Sequence, residues 1–484
     1  MSSAPPPASI PHDVGGLDSP APAGLRPGRL GVAAIMFFVI AAVAPMAAVI
    51  GASPVVFSAN GATAPLVYLL AALLFAVFSV GYVAMSRHIS NAGGFVAYIA
   101  RGLGAKVATA AAGVAVLAYT ALQAALWSQF SVFGNQLISD KLGIDIPTWV
   151  LMFGALAIVT ALTIIGVDVS LKVLGVLVAL EIAAFVILDV AIIASGGASG
   201  NSLAAFDPSN LVGPGIGIAF LFCITCFTGF EATVVFSEEA KDRHRTIPRA
   251  VYGSIGFIGI FYALTTWAVG NSVGNTNVQS AATEDPAGFI FAVATTEVGP
   301  WLSTTMEVLV VTSFLAMLIG FQNMFARYLY ALGRAGALPN RLGIANPKTS
   351  TPAVAAACVG VTLALVLIAF VLAGADPITV TFSWLLSLGT VALIAILTFA
   401  AISVVAFFAR TKVETNIWKT RIAPGCAATG FAVVIYLALT NYGVLLGGQG
   451  GTAQWLLLLI PAFAVLGFSW AVFRPSIDFE AELV

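Results

Sequence analysis

Charge is what this chain has least of. Only 8% of its 484 residues are Asp, Glu, Lys or Arg, against about 25% in soluble domains. With 60% hydrophobic residues and a mean hydropathy of +1.02, no soluble core could hide so much apolar surface. The solvent is therefore lipid, and the chain reads as an all-α polytopic membrane protein. The net charge of −1 argues against nucleic acid as a partner. Cysteine and histidine are scarce too. Cys223, Cys226, Cys358 and Cys426 all sit in apolar stretches. Cys223-x-x-Cys226 has no second pair and no nearby histidine, so it reads as small buried hydrophobes, not as a metal or redox pair. His12, His88 and His244 fall in the tail and in polar loops. No metal site and no cofactor are expected. No phosphate-cradling glycine loop is present, which argues against ATP-driven pumping. The Pro/Ala/Ser-rich start, residues 1–29, lacks a charged region followed directly by an apolar one. It reads as a flexible cytoplasmic tail without a cleaved leader.

What is present is a series of apolar runs, each of about 20 residues, giving about twelve membrane helices. They cover residues 30–56, 65–86, 107–137, 148–167, 173–194, 214–236, 251–269, 301–330, 352–373, 379–408, 427–446 and 455–473. Residues 87–106 form a polar segment, and the long loop 270–299 has an amphipathic piece near Phe289. With the N-terminus inside, only Lys141 of the 20 Lys and Arg residues falls on an outward loop, as the positive-inside rule requires. Both termini are then cytoplasmic.

The stretch 220–250 organises the rest. It begins as an apolar helix, breaks at Thr228-Gly229, and sets one carboxylate, Glu231, in apolar sequence before a charged loop over 238–249. An intramembrane carboxylate is a functional candidate by default; Glu231 can exchange a proton or attract an ammonium, or it is a structural acid. The first helix is interrupted at Ala44-Pro45-Met46-Ala47. With five helices per half, the two breaks occupy corresponding positions in opposite orientations, as in transporters built from inverted repeats. Residues 30–195 and 214–410 are then the two repeats, 424–474 two added helices, and 475–484 a tail. The half-helix after Ala47 would turn its amides toward an anion; plain kinking at Pro45 is the bland alternative. Glu181, in the fifth helix, has the same logic as Glu231. Asp189 and Glu307 read as acids near the outer interface. On the third helix Tyr119, Gln123, Trp127 and Ser131 share one face, lining a cavity or packing helix on helix. Ser383, Ser387 and Thr390 form a similar stripe on the tenth helix beside Trp384. Phe227 and Phe230 flank the break and are candidate hydrophobic gates.

Three segments resemble the amino acid–polyamine–organocation (APC) superfamily. The first runs from Met85-Ser-Arg-His-Ile-Ser-Asn-Ala-Gly-Gly94 to Arg101-Gly-Leu-Gly104. The second is Gly229-Phe-Glu231 with Glu238-Glu-Ala-Lys241 and Arg245-Thr-Ile-Pro-Arg249. The third is Asn323, Arg327-Tyr-Leu-Tyr-Ala-Leu-Gly-Arg334, Gly336-Ala-Leu-Pro339 and Thr351-Pro352. All three fall in order at matching places, over residues 30–410. The resemblance implies a five-plus-five inverted repeat like that of the leucine transporter, and transport of amino acids, polyamines or related amines. It also implies inner-gate ion pairs in the loops 238–249 and around Arg334. Many members bind the substrate carboxylate through a Gly-Ser-Gly-like break in the first helix. Here Ala44-Pro45-Met46-Ala47 stands there, and proline donates no amide. Similar sodium-independent members carry a lysine in the fifth helix; the matching position here is Glu181.

The reading that follows is a secondary active transporter of the plasma membrane, not an enzyme. It imports or exchanges amino acids or small organic amines by alternating access. The substrate-binding candidates are Ala44, Pro45, Met46, Ala47, Thr228, Gly229, Glu231, Gln123, Trp127 and Ser383. Glu231, Glu181, Phe227 and Phe230 are the coupling and gating candidates. The preferred coupling ion is the proton, with sodium open because a carboxylate suits a hard cation. A homodimer is left open. The competing readings are a non-transporting sensor or partner subunit, and a polyamine-specific transporter. A membrane-embedded enzyme would need an intramembrane His or clustered acids, and a channel would need a filter signature; neither stands in the sequence.

Overall fold

A computed structural model describes residues 31–88, 94–166, 171–211, 213, 215–230, 241–347, 349, 351–440, 442, 453–474, 477 and 479. Among these, ten helical runs are long and apolar enough to cross a membrane. The first span is broken: α1 (Val32–Val43) and α2 (Pro45–Asn60) meet at Ala44. Then come α3 (Ala64–Ser86), α4 (Gly94–Leu103), α5 (Ala105–Leu142), α6 (Thr148–Ile165) and α7 (Leu171–Ser195). The described part of the sixth span is α8 (Ile216–Thr225), followed by turns to Phe230. The seventh span is α9 (Arg243–Val273), and the loop after it carries α10 (Val278–Glu284) and α11 (Phe289–Glu297). The rest are α12 (Pro300–Arg334), α13 (Ala353–Leu372), α14 (Ser383–Thr411), α15 (Ala423–Thr440) and α16 (Leu459–Phe473). With α1 and α2 taken as one span, and α8 as part of another, the order agrees with an expectation of about twelve helices. Several helices run past the apolar stretch that announces them, notably α5, α9 and α12, because polar ends continue the backbone ladder outside the apolar run.

The third span lies at the centre and the last at the rim. In the most apolar window of α5, 72% of residues are buried, against 6% in Gln454–Phe473. The long α5 packs on α4, α12, α14 and α16, while α3 packs on α9 and α15. Exposed Val361, Leu365 and Ile368 on α13 are apolar, as lipid contact requires. Trp149, Trp301, Trp418 and Trp455 are exposed near the starts of four spans, where amphipathic rings anchor at a membrane–water interface.

The polar segment 87–106 turns out to contain a helix, α4. Its Phe95, Val96, Tyr98 and Ile99 are buried while Arg101 is exposed, so ten residues form an amphipathic helix too short to cross the bilayer. α4 docks through Gly102. A Cβ there would lie 2.3 Å from the Ser403 carbonyl oxygen of α14, and the Gly102 carbonyl accepts from Arg410 Nη1 at 3.1 Å. A short helix thus precedes the third span, and α11 likewise precedes the eighth.

The break in the first span has a local cause. The residue before a proline is pushed out of the right-handed helical region, while proline suits the first position of a new helix. Ala44 accordingly sits at φ 51, ψ 76, in the left-handed region, and Pro45 opens α2. Ala44 N–H closes a tight turn to the Ala41 carbonyl at 3.2 Å.

Two outcomes are expected. Gly102→Val should lower the melting temperature of the detergent-solubilised protein and its monodisperse yield. Gly256→Ala, where nothing lies within 4 Å of the added carbon, should not; equal behaviour of the two would refute the docking role of Gly102. At the break, left-handed geometry costs a side chain about 1–2 kcal/mol and suits a β-branched residue worst. Ala44→Val should therefore melt below wild type and Ala44→Gly should not, as read by thermal unfolding.

Candidate substrate site

The two breaks are neighbours. Gly229, at φ +109, lies with its missing Cβ position 3.7 Å from Ala42 and from Val43 at the end of α1. That backbone conformation favours glycine, since it has no Cβ to clash. Cys226, just before it, brings its sulfur 3.9 Å from the Ala48 carbonyl of α2 and 3.8 Å from the Tyr68 hydroxyl of α3. Ala44, Pro45, Met46 and Ala47 are all buried, so the break lies inside protein. Cys223 and Cys226 are buried and unlinked.

Glu181 reaches this point from α7. It is 2% exposed, and its Oε2 accepts a hydrogen bond from the Met46 backbone N–H at 3.0 Å. Helix N-termini present unpaired amides and a positive dipole end, and a carboxylate is the partner they favour. The Ser313 hydroxyl of α12, also buried, lies within hydrogen-bonding reach of the same carboxylate. The sequence singled out Glu181; it carried no sign of Ser313 beside it. Glu231 and residues 232–240, which include the start of the charged loop 238–249, lie outside the described residues.

The stripes resolve differently. Tyr119 packs its ring against Phe321, Phe325 and Tyr328 of α12. Gln123 donates through Nε2 to Gln322 Oε1 at 3.2 Å, and Gln322 donates to Thr160 Oγ1 of α6 at 2.8 Å. Gln123 Oε1 and Trp127 Nε1 are buried without a partner. Gln322 is thus a helix-linking amide the sequence reading passed over, although a glutamine within apolar α12 was a visible signal. Gln129, also unremarked, donates to the Gly51 carbonyl at 2.9 Å and ties α5 to α2. On α14 the hydroxyls of Ser383, Ser387 and Thr390 bond to carbonyls of Ile378, Ser383 and Leu386 within their own span. Only Thr390 also reaches across, to Thr225 of α8 at 2.6 Å. The Thr228 hydroxyl oxygen is buried and unpartnered.

Phe227 and Phe230 sit in one aromatic cluster. Phe75 stacks on Phe227 with ring centroids 5.1 Å apart and meets Phe230 edge-on at 5.0 Å. Phe78, Tyr82 and Phe95 also meet Phe230. Such pairs are directional and add to simple burial. The cluster joins the sixth-span break to α3 and α4.

Two other acids, Asp189 and Glu307, were expected near the outer interface. Asp189 is buried and accepts from Thr265 Oγ1 of α9 at 2.8 Å. Glu307, near the start of α12, pairs with Lys141 at 2.9 Å and so joins the ends of α5 and α12.

Against known proteins, the sequence matches the family described as amino acid permease across residues 30–468. It is 26% identical over 303 residues to the branched-chain amino acid permease BcaP of Lactococcus lactis, covering 58% of this chain and 63% of that protein. It is 24% identical over 316 residues to the chloroplastic cationic amino acid transporter 7 of Arabidopsis thaliana, covering 61% and 52%. It is 27% identical over 230 residues to the low-affinity putrescine importer PlaP of Escherichia coli, covering 45% and 48%. The aligned regions thus span about half to under two thirds of these relatives' own lengths. A chain of membrane helices with two adjoining breaks, matched over nearly its whole length, belongs to the amino acid permease family of the APC superfamily.

Proposed function

We propose that this permease is a secondary active transporter of the plasma membrane that imports or exchanges amino acids or small organic amines by alternating access, driven by protons. The observation that carries this reading is the Glu181 carboxylate held against the Met46 amide at the break of the first span. An ionisable group buried where a membrane helix is discontinuous marks an ion or substrate path. The inverted-repeat organisation is supported by the broken first and sixth spans and by short helices placed alike before the third and eighth. The orientation with both termini inside is supported by the basic loops. In this scheme the substrate binds between the breaks, and Glu181 and Glu231 are the groups that load and release the proton. The relatives' names divide between amino acids and a diamine, so they support the broad substrate class only.

Sodium coupling is the second reading. A carboxylate and a hydroxyl are oxygen ligands that a hard cation accepts, and Glu181 with Ser313 supplies that pair.

The test is uptake by the purified protein in proteoliposomes, with labelled neutral, acidic and basic amino acids and polyamines. Accumulation should rise with an inward proton gradient. Glu181→Gln, which cannot titrate, should abolish at least about tenfold of that stimulation if it supplies the coupling proton; Glu231→Gln is the parallel measurement. Uptake that depends wholly on sodium and ignores pH would rule out the proton. Failure of every substrate to move, in folded protein, would leave a sensing or partner role.

A further inference from the structure

The second half of the first span starts with an amide supply that the fold has nearly used up. A helix opens with four amides that have no partner inside it. In α2 the first belongs to Pro45 and carries no hydrogen. The second, on Met46, donates to Glu181 at 3.0 Å. The Ala48 amide donates to the Ala44 carbonyl at 3.0 Å. Only the Ala47 amide is left without an acceptor among the described residues.

Of the amides at this helix start, a carboxylate arriving from solution would find that single one free among the described residues. It would also lie one residue along from a carboxylate already in place, and buried like charges at such range repel strongly because little water screens them. A cation meets the opposite field. The Glu181 carboxylate is 2% exposed, and no basic side chain among the described residues pairs with it. The Ser313 hydroxyl, itself 2% exposed, lies within hydrogen-bonding reach of the same carboxylate. It offers a further oxygen to an ammonium group.

We infer that Glu181 takes, within the protein, the place that a substrate carboxylate would fill, so that the site selects primary amines lacking an α-carboxylate over the corresponding α-amino acids. The inference rests on the transporter reading above and narrows its substrate class. Recognition is then by the ammonium group.

Matched pairs that differ only in the α-carboxylate test this: putrescine with ornithine, cadaverine with lysine, isoamylamine with leucine. Uptake of each labelled compound is measured with the full-length protein in proteoliposomes, alongside its thermal stabilisation of the protein in detergent. In wild type the amine of each pair should be effective at a concentration about tenfold or more below that of its amino acid. Glu181→Gln keeps an oxygen acceptor for the Met46 amide while removing the charge, and should cut that preference to about threefold or less. Glu181→Ala also frees the amide, and should move the preference furthest toward the amino acids. Wild-type protein that takes the amino acids as well as the amines overturns the inference and leaves the transporter reading intact. So does a preference that Glu181→Gln does not change. Amines that stabilise the protein selectively but are not taken up would uphold the selectivity and overturn the transporter reading. No stabilisation and no uptake by either member of any pair would overturn both.

Discussion

A helix that stops inside a bilayer leaves backbone groups that lipid cannot satisfy, at a cost of several kcal/mol each. Everything at the centre of this protein follows from how one such stop is handled. Ala44-Pro45 breaks the first span by local sterics, and Glu181 crosses from α7 to take the Met46 amide. A hydrogen bond contributes about 0.5–1.5 kcal/mol net, and more is lost if either partner is stranded in a dry site. The contact joins residues 135 positions apart. It therefore fixes where α7 stands relative to the break, and it puts an acid at the positive end of the half-helix dipole.

Around that contact the protein relies on close approach more than on polar bonds. Interhelical hydrogen bonds in membranes average only about 0.6 kcal/mol, because an unfolded chain in lipid also finds partners. The bonds from Gln123 to Gln322 and from Gln129 to Gly51 set register more than they supply stability. Glycines let backbones meet: Gly229 against the end of α1, Gly102 against α14. Aromatic rings then fill the space beside the breaks, with Phe75 touching both Phe227 and Phe230. Packed interiors switch between discrete arrangements instead of deforming continuously. A cluster that ties the sixth-span break to α3 and α4 is thus the kind of element that the proposed alternating access would rearrange as a unit.

The membership of a family whose named relatives handle amino acids and a diamine fits this frame. In that frame the chemistry of specificity reduces to which charges the breaks present. Here the described break presents one spare amide and one buried carboxyl group, the arrangement from which the preference for amines is inferred.

The membrane class, the order of the spans and the break at Ala44-Pro45 were legible in the chain because each depends on local properties: apolar run length, basic loop residues and the sterics before a proline. Glu181 was legible as a lone acid in apolar sequence. The helix in 94–103 was missed because ten residues of mixed polarity look like a loop until their buried face meets α14. What local chemistry could not decide was which groups meet. That Glu181 finds the Met46 amide, that Ser313 stands beside it, and that Gln123 turns to Gln322 are facts of helix packing. A helix sequence specifies its polar positions, but the rotation and depth of each helix are set by all its neighbours at once, and only the assembled bundle fixes them.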